Sequence, residues 1–289
     1  KIYYYTNYTL LKHKHYIIMS SYLFSPANNI KYLEKAIDSN SYALIPDLED
    51  SVPLAEKRNA LNNLINFVSS TNINNKIILP RIHNSDDMVW NKDQINELIK
   101  LNIKGFIIPS VKDVDSISVF YSEIKKHDKQ IQIIPLIESM KGINNMPNII
   151  NTYKVNFIAL GMYDLSLDLN IDPNNQISLI NYIKQKFAIM ALSNKCNPID
   201  SPLLEIDNAN NFIKECEKSY SMGFKGKFAI HPSQVNIINE TYSKTKFSKS
   251  EIKEILLKYE ELSKKGIGAF NYKNNIIDLP VYLNLRKDV

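Results

Sequence analysis

Short apolar runs recur along the chain, each followed by an amphipathic stretch with helical spacing, and that alternation leaves few folds open. Eight such units can be read, with strands at 22–25, 43–46, 76–80, 105–108, 132–136, 156–160, 196–198 and 227–230. Helices are expected at 29–39, 55–69, 88–101, 114–127, 142–152, 176–194, 207–222 and 233–241, with one more at 250–265. A run of four or five apolar residues with no polar alternation reads as a strand covered on both faces, and helices between such strands demand parallel pairing. Eight βα units close into a TIM-type (β/α)8 barrel, for which 289 residues is an ordinary length.

Local signals support these boundaries. Ser85, Asp86, Asp87 and Asp113 offer side-chain oxygens to the free amides of helix starts, and Pro53 closes what precedes the second helix. Gly105 and Gly223 stand where a helix must give way to a strand. No Gly/Ser/Pro-rich linker divides the units, so one core is expected over 19–246. The remainder, 247–289, is an extension, lid or exchange arm.

Composition removes several classes. Hydrophobic residues make up 44% and charged residues 22% of the chain, the balance of a globular protein. No apolar run approaches the roughly 20 residues needed to span a bilayer, so no membrane role is expected. The net charge of +5 comes from lysines scattered along the chain, without the basic face interleaved with aromatics that nucleic acid requires. Cys196 and Cys216 lack metal or redox spacing and suit a reducing compartment, expected to be the cytoplasm. Residues 1–18 hold many Tyr and Lys and no Asp or Glu. They read as a leader or extension before Met19, and if they are a targeting segment the mitochondrial matrix becomes the destination.

A barrel gathers its reactive groups past the C-terminal ends of its strands, where the loops meet. Asp47-Leu48-Glu49-Asp50 follows strand two, Arg81 ends strand three, and Glu138 follows strand five. Asp164 follows strand six, Asp200 strand seven and His231 strand eight. Glu138 comes straight after an apolar run, where an unpaired carboxylate is costly. With Asp164 from the neighbouring strand it forms a pair suited to Mg²⁺, which binds one or two protein carboxylates and keeps water. Capping of the following helices is the competing explanation for both. Arg81 can turn its planar fork to a substrate carboxylate or pair with Glu49 or Asp50. His83 reads as a loop histidine, and His231, before Pro232, as a backbone contact.

Taken together, Tyr22-Leu23-Phe24-Ser25-Pro26, Asp47-Leu48-Glu49-Asp50-Ser51-Val52, Arg81, Ile137-Glu138, Gly161-Met162-Tyr163-Asp164-Leu165, Ile199-Asp200-Ser201-Pro202, the stretch from Gly223 to Gln234, and Ile277-Asp278-Leu279-Pro280 resemble the citrate lyase β-subunit and malyl-CoA lyase family, the HpcH/HpaI aldolase superfamily. The resemblance runs from about residue 20 to 285. It implies Mg²⁺ on Glu138 and Asp164, a substrate carboxylate on Arg81, and Glu49 and Asp50 as catalytic orienters of the arginine and of metal-bound water. It implies substrate or carrier contacts at Phe24, Lys35, Tyr163, Asp164 and the Ile230-His231 backbone. Asp278 would be an acid/base reaching over a neighbouring subunit, so a homo-oligomer, trimer or hexamer, is implied.

The activity implied is Mg-dependent carbon–carbon cleavage, or formation, of a 3-hydroxy-carboxyacyl thioester, giving acetyl-CoA or a relative and an α-keto acid. The sequence departs from the family pattern at Ser20, Ala27, Asn29, Ser110 and Lys141, several of them near the expected carrier phosphates. Two other readings therefore stay open: a class II aldolase acting on a free hydroxy-keto acid, and a non-catalytic subunit of a lyase complex.

Overall fold

The structure, a computed structural model, describes residues 20–71, 73, 76–83, 88–101, 103–127, 130–244 and 246–288. These fall into two compact units that meet in sequence at Tyr242 and Ser243.

In the first unit eight parallel strands form one sheet. They are β1 (Ser21–Pro26), β2 (Ala43–Asp47), β3 (Ile77–Ile78), β4 (Gly105–Ile108), β5 (Gln132–Ile137), β6 (Phe157–Leu160), β7 (Asn197–Asp200) and β8 (Gly226–Ala229). The order β3-β2-β1-β8-β7-β6-β5-β4 is that of a barrel. The ring is completed at Arg81, which bridges both Asp47 of β2 and Ile107 of β4.

Strand three is expected over 76–80, yet its regular part is two residues long. Pro80 has no N–H to give the ladder, and pairing resumes beyond it, with Arg81 N donating to Pro46 O and Ile107 N to Pro80 O.

The strands alternate as a pleat requires. Tyr22, Ile45, Leu79, Ile107, Leu136, Ala159, Ile199 and Phe228 fill one cluster inside the ring. Their neighbours Leu23, Leu44, Ile78, Phe106, Ile137, Ile158, Leu160 and Ala229 join the larger cluster beneath the helices.

The helices around the ring are α1 (Ile30–Ile37), α2 (Lys57–Ser70), α3 (Met88–Ile99), α4 (Val114–Ile124), α5 (Met140–Tyr153), α6 (Met162–Asp168), α7 (Ile177–Ser193), α8 (Ala209–Ser221) and α9 (Pro232–Tyr242). Asp113 caps α4 as expected, in a reciprocal box with Ser116. Ser85, Asp86 and Asp87 lie outside the described residues, as does the 1–18 segment. Gly223 carries φ +98° between α8 and β8. Gly105 acts differently from expectation: a Cβ there would lie 2.2 Å from Gln132 O, so its role is close strand approach. The short α6 is an addition to the expected pattern, and it carries Asp164.

The second unit contains α10 (Lys249–Lys264), the antiparallel hairpin β9 (Phe270–Tyr272) and β10 (Asn275–Ile277), and α11 (Leu279–Leu285). Phe247, Ile252, Ile255, Tyr259, Tyr272, Ile277 and Tyr282 form its own core. Among the described residues no helix is long and apolar enough to cross a membrane.

Candidate active site

The C-terminal strand ends surround a cleft of about 220 Å³ lined by Glu49, Asp50, Ser110, Lys112, Glu138, Ser139, Asp164 and Asp168. Glu138 leaves β5 at the point where the buried strand ends. Its Oε2 accepts from Ser110 N at 2.6 Å and Ser110 Oγ at 3.2 Å. Ser110 reaches it by adopting φ 55°, a left-handed conformation that costs a non-glycine residue about 1 kcal/mol. The other flank of Glu138 is Gly161, where a Cβ would stand 2.4 Å from Glu138 Cγ and 2.9 Å from Oε1. Burial, then the negative charge of Asp164, pushes the Glu138 carboxyl up to about 7 against the Ser110 hydrogen bonds. Asp164, third residue of α6, is more open, and burial followed by Asp50 raises it too.

Behind these carboxylates stands Arg81, which is 8% exposed. Its Nε and Nη2 donate to the two oxygens of Asp47, each at 2.7 Å, a bidentate pair. Nη1 donates to Asp50 Oδ2 at 2.9 Å and lies 3.0 Å from Glu49 Oε2. The expected pairing with Glu49 or Asp50 is thus present with both, and the Nε–Nη2 edge of the fork is taken up by Asp47. Burial favours a neutral Asp47, but the Arg81 charge and hydrogen bonds, with donors from Ser51 and Glu49 N, overrule it and hold the group low. The Arg81 guanidinium carbon also sits 5.0 Å from the centre of the Phe24 ring.

Glu49 Oε2 is buried and meets that guanidinium as an ion pair without the geometry of a hydrogen bond. Burial, with Asp50, Glu138 and Asp47 adding to it and Arg81 opposing, pushes its carboxyl up to about 9. Lys57 Nζ holds the Glu49 carbonyl at 2.6 Å.

The remaining expected site residues are placed elsewhere or act locally. Tyr163 Oη accepts from Leu204 N at 3.4 Å and does not line the cleft. Lys35 is exposed in the last turn of α1, away from the cleft lining. His231 turns its Nδ1 to Ser233 Oγ, 2.7 Å away, while Ile230 N donates to Gln234 Oε1. Asp278, in the second unit, caps α11 by accepting from Val281 N at 3.1 Å. Asn29 likewise caps α1, and Lys141 pairs with Asp113 at 2.5 Å, so these two departures from the family pattern have structural partners.

Lys112 and Asp168 were not singled out from sequence, Asp47 was given no separate role within its acidic run, and Ser110 was noted only as a departure from the family pattern. For Asp47 the signal was there, since it opens the acidic run that ends β2.

An eight-stranded barrel with a carboxylate cleft at its strand ends and one buried arginine behind them defines an enzyme-like α/β barrel. The family profile described as HpcH/HpaI aldolase/citrate lyase matches residues 20–232, and the chain belongs to that family. It is 27% identical over 284 residues to the L-malyl-CoA/beta-methylmalyl-CoA lyase of Rhodobacter capsulatus, covering 89% of each chain. It is 21% identical over 291 residues to the mitochondrial citramalyl-CoA lyase of Homo sapiens, covering 95% of this chain and 85% of that one. The fold is similar to that of the CitE protein of Mycobacterium tuberculosis in complex with magnesium, acetoacetate and coenzyme A. That likeness has a TM-score of 0.71 at 19% identity and covers 93% and 96% of the two chains.

Proposed function

We propose that this chain is a carbon–carbon lyase that cleaves, or in reverse forms, a 3-hydroxy-carboxyacyl thioester, with Mg²⁺ held by Glu138 and Asp164. The observation that carries this reading is the crowding of Glu49, Asp50, Glu138 and Asp164 around one cleft, with burial and mutual repulsion raising Glu49, Glu138 and Asp164. Carboxylates so arranged call for a cation. The donors fit one: all are hard carboxylate oxygens, and Glu138 and Asp164 are both raised by neighbouring negative charge as well as by burial. Among the described residues no three His, Cys, Asp or Glu side chains form a ready cage. Two protein carboxylates with the other positions left to water and substrate oxygens is the habit of Mg²⁺. Relatives named as lyases of malyl-CoA and citramalyl-CoA, and a CitE structure containing magnesium and coenzyme A, support the same choice.

Retro-Claisen cleavage breaks the bond between the hydroxyl-bearing carbon and the α-carbon of the thioester. The hydroxyl oxygen becomes the keto oxygen, and the bonding pair passes to the thioester as an enolate. The net proton movement is from that hydroxyl to the α-carbon. When bound, the cation supplies Lewis-acid charge to the substrate's oxygens. Arg81, locked by Asp47, keeps a fixed positive charge beside them through its outer nitrogens. Glu49 and Asp50 hold that guanidinium from the cleft side. Asp278 of a neighbouring subunit is assigned the proton that reaches carbon.

The test is turnover of malyl-CoA and citramalyl-CoA by purified protein with Mg²⁺. Glu138→Ala and Asp164→Ala should each abolish it, and EDTA should do the same. Activity that survives EDTA overturns the metal role, and turnover of free hydroxy-keto acids alone overturns the thioester reading in favour of an aldolase.

A further inference from the structure

The helix that carries Asp164 begins without a cap of its own, because Gly161 brings no side chain to its free amides. The missing partner comes from the neighbouring strand end. Ser201 Oγ accepts from Met162 N at 2.9 Å and donates to Leu160 O at 2.7 Å, so one hydroxyl ties the peptide groups on both sides of Gly161. Ser201 is 2% exposed, out of reach of bulk water.

Its own backbone is held in turn. Lys227 Nζ donates to Ser201 O at 2.7 Å and to Asp200 Oδ2 at 2.6 Å, and Lys184 Nζ reaches the same Asp200 oxygen at 3.2 Å. On the opposite side Gly161 N donates to Ile137 O at 2.9 Å, one residue before Glu138. The turn is thus suspended between β5 and the end of β7. Two of the cleft's carboxylates depend on it, Glu138 by contact with Gly161 and Asp164 as third residue of the helix it starts.

We propose that Ser201 is a positioning residue for the divalent-cation site, fixing the turn at Gly161 so that Asp164 and Glu138 keep the separation one cation needs. The inference rests on the reading that these two carboxylates hold the cation. Ser201 touches neither cation nor substrate, and it acts through the Gly161–Met162 backbone. Outer partners of this kind set metal affinity as well as fold stability.

The experiment is a Mn²⁺ titration of the full chain, followed by the loss of the free-ion EPR signal, alongside thermal unfolding without metal. Three proteins are compared: wild type, Ser201→Ala and Ser21→Ala. Ser21 is the matched control. It is fully buried, and its Oγ also makes two bonds, donating to Asn239 Oδ1 at 2.6 Å and accepting from Tyr42 N at 3.1 Å, but at the start of β1, the other end of the barrel. Both variants should lose similar thermal stability, while only Ser201→Ala should weaken Mn²⁺ binding, by about tenfold. Mn²⁺ affinity of Ser201→Ala within about twofold of wild type, or weakened equally in both variants, overturns the proposal. A wild-type chain that takes up no Mn²⁺ overturns the cation reading beneath it, and the proposal with it.

Discussion

Glu138 has room for its carboxylate only because position 161 is glycine. The backbone there, at φ −100° and ψ 85°, is open to any residue, so the objection to a side chain is contact alone, a Cβ at 2.4 Å from Glu138 Cγ. The atom displaced belongs to a flexible side chain, which makes the change cheap for folding and costly for the site. Gly161→Ala should lower stability by about 1 kcal/mol, near the small end of overpacking effects. Its kcat/KM should fall at least about tenfold, because an ångström of misplacement at a reacting centre is worth that or more. Denaturant unfolding beside steady-state kinetics reads both, and kinetics that stay at wild-type level would mean Glu138 does not need its present position. Glu138 was legible in the sequence because an acid directly after an apolar strand is costly unless it is paired or caps a helix, and Asp164 because it follows the neighbouring strand. The role of Ser110 was not, since it comes from a partner beyond another strand, the Glu138 carboxylate. Nothing local says that Arg81 spends its bidentate edge on Asp47.

Between β7, β8 and the helices outside them lies a charge network that the strand pattern concealed. Lys227 opens an expected strand and reads as its polar end, yet it is 1% exposed beside Asp200 in register on β7. Lys184 of α7 completes the triad, and Glu215 of α8 faces Lys184 at 3.6 Å. Burial pushes Asp200 up, but Lys184, Lys227 and their hydrogen bonds outweigh it and take the carboxyl from 3.8 down to about 2. A folded value below the unfolded one means this group adds stability above the unfolded value and loses it as pH falls through the folded one. The linked contribution is about 2 kcal/mol, present near neutrality and fading between about pH 4 and pH 2. Asp200→Asn should cost about 3–5 kcal/mol at pH 7, because buried Lys227 loses its counter-charge and Lys184 keeps only Glu215 at 3.6 Å. The same variant should show a flatter acid limb in urea unfolding, and an unchanged limb would mean Asp200 is not the group titrating there. Eight βα units were readable from period and length, since each is a local property. The short α6 and the two-residue β3 were not, because one hangs on Ser201 and the other is cut by Pro80 within a ring that only closure defines.

At the scale of the whole chain, two compact units carry the proposed chemistry, with the cation carboxylates in one and Asp278 in the other. The second unit was legible only as a helix and a tail. Its hairpin turns at Lys273 and Asn274, with φ 47° and 64°, a left-handed pair that commonly includes glycine and so left no signal in this sequence. Asp278 presents a difficulty for any test, because it also caps α11. Asn caps as well as Asp, so Asp278→Asn removes the acid while keeping the helix start. If the tail serves a neighbouring subunit's barrel, Asp278→Asn and Glu138→Ala damage different halves of each shared site. Each variant alone should be inactive. Mixed, unfolded together and refolded as hybrid oligomers, they should regain activity, since random assortment gives about one site in four an intact barrel and an intact tail. If instead each tail serves its own barrel, every site in the mixture carries one lesion and activity stays absent. The recovery should track the oligomer fraction on size exclusion, which ties the proton donor to assembly and not to either unit alone.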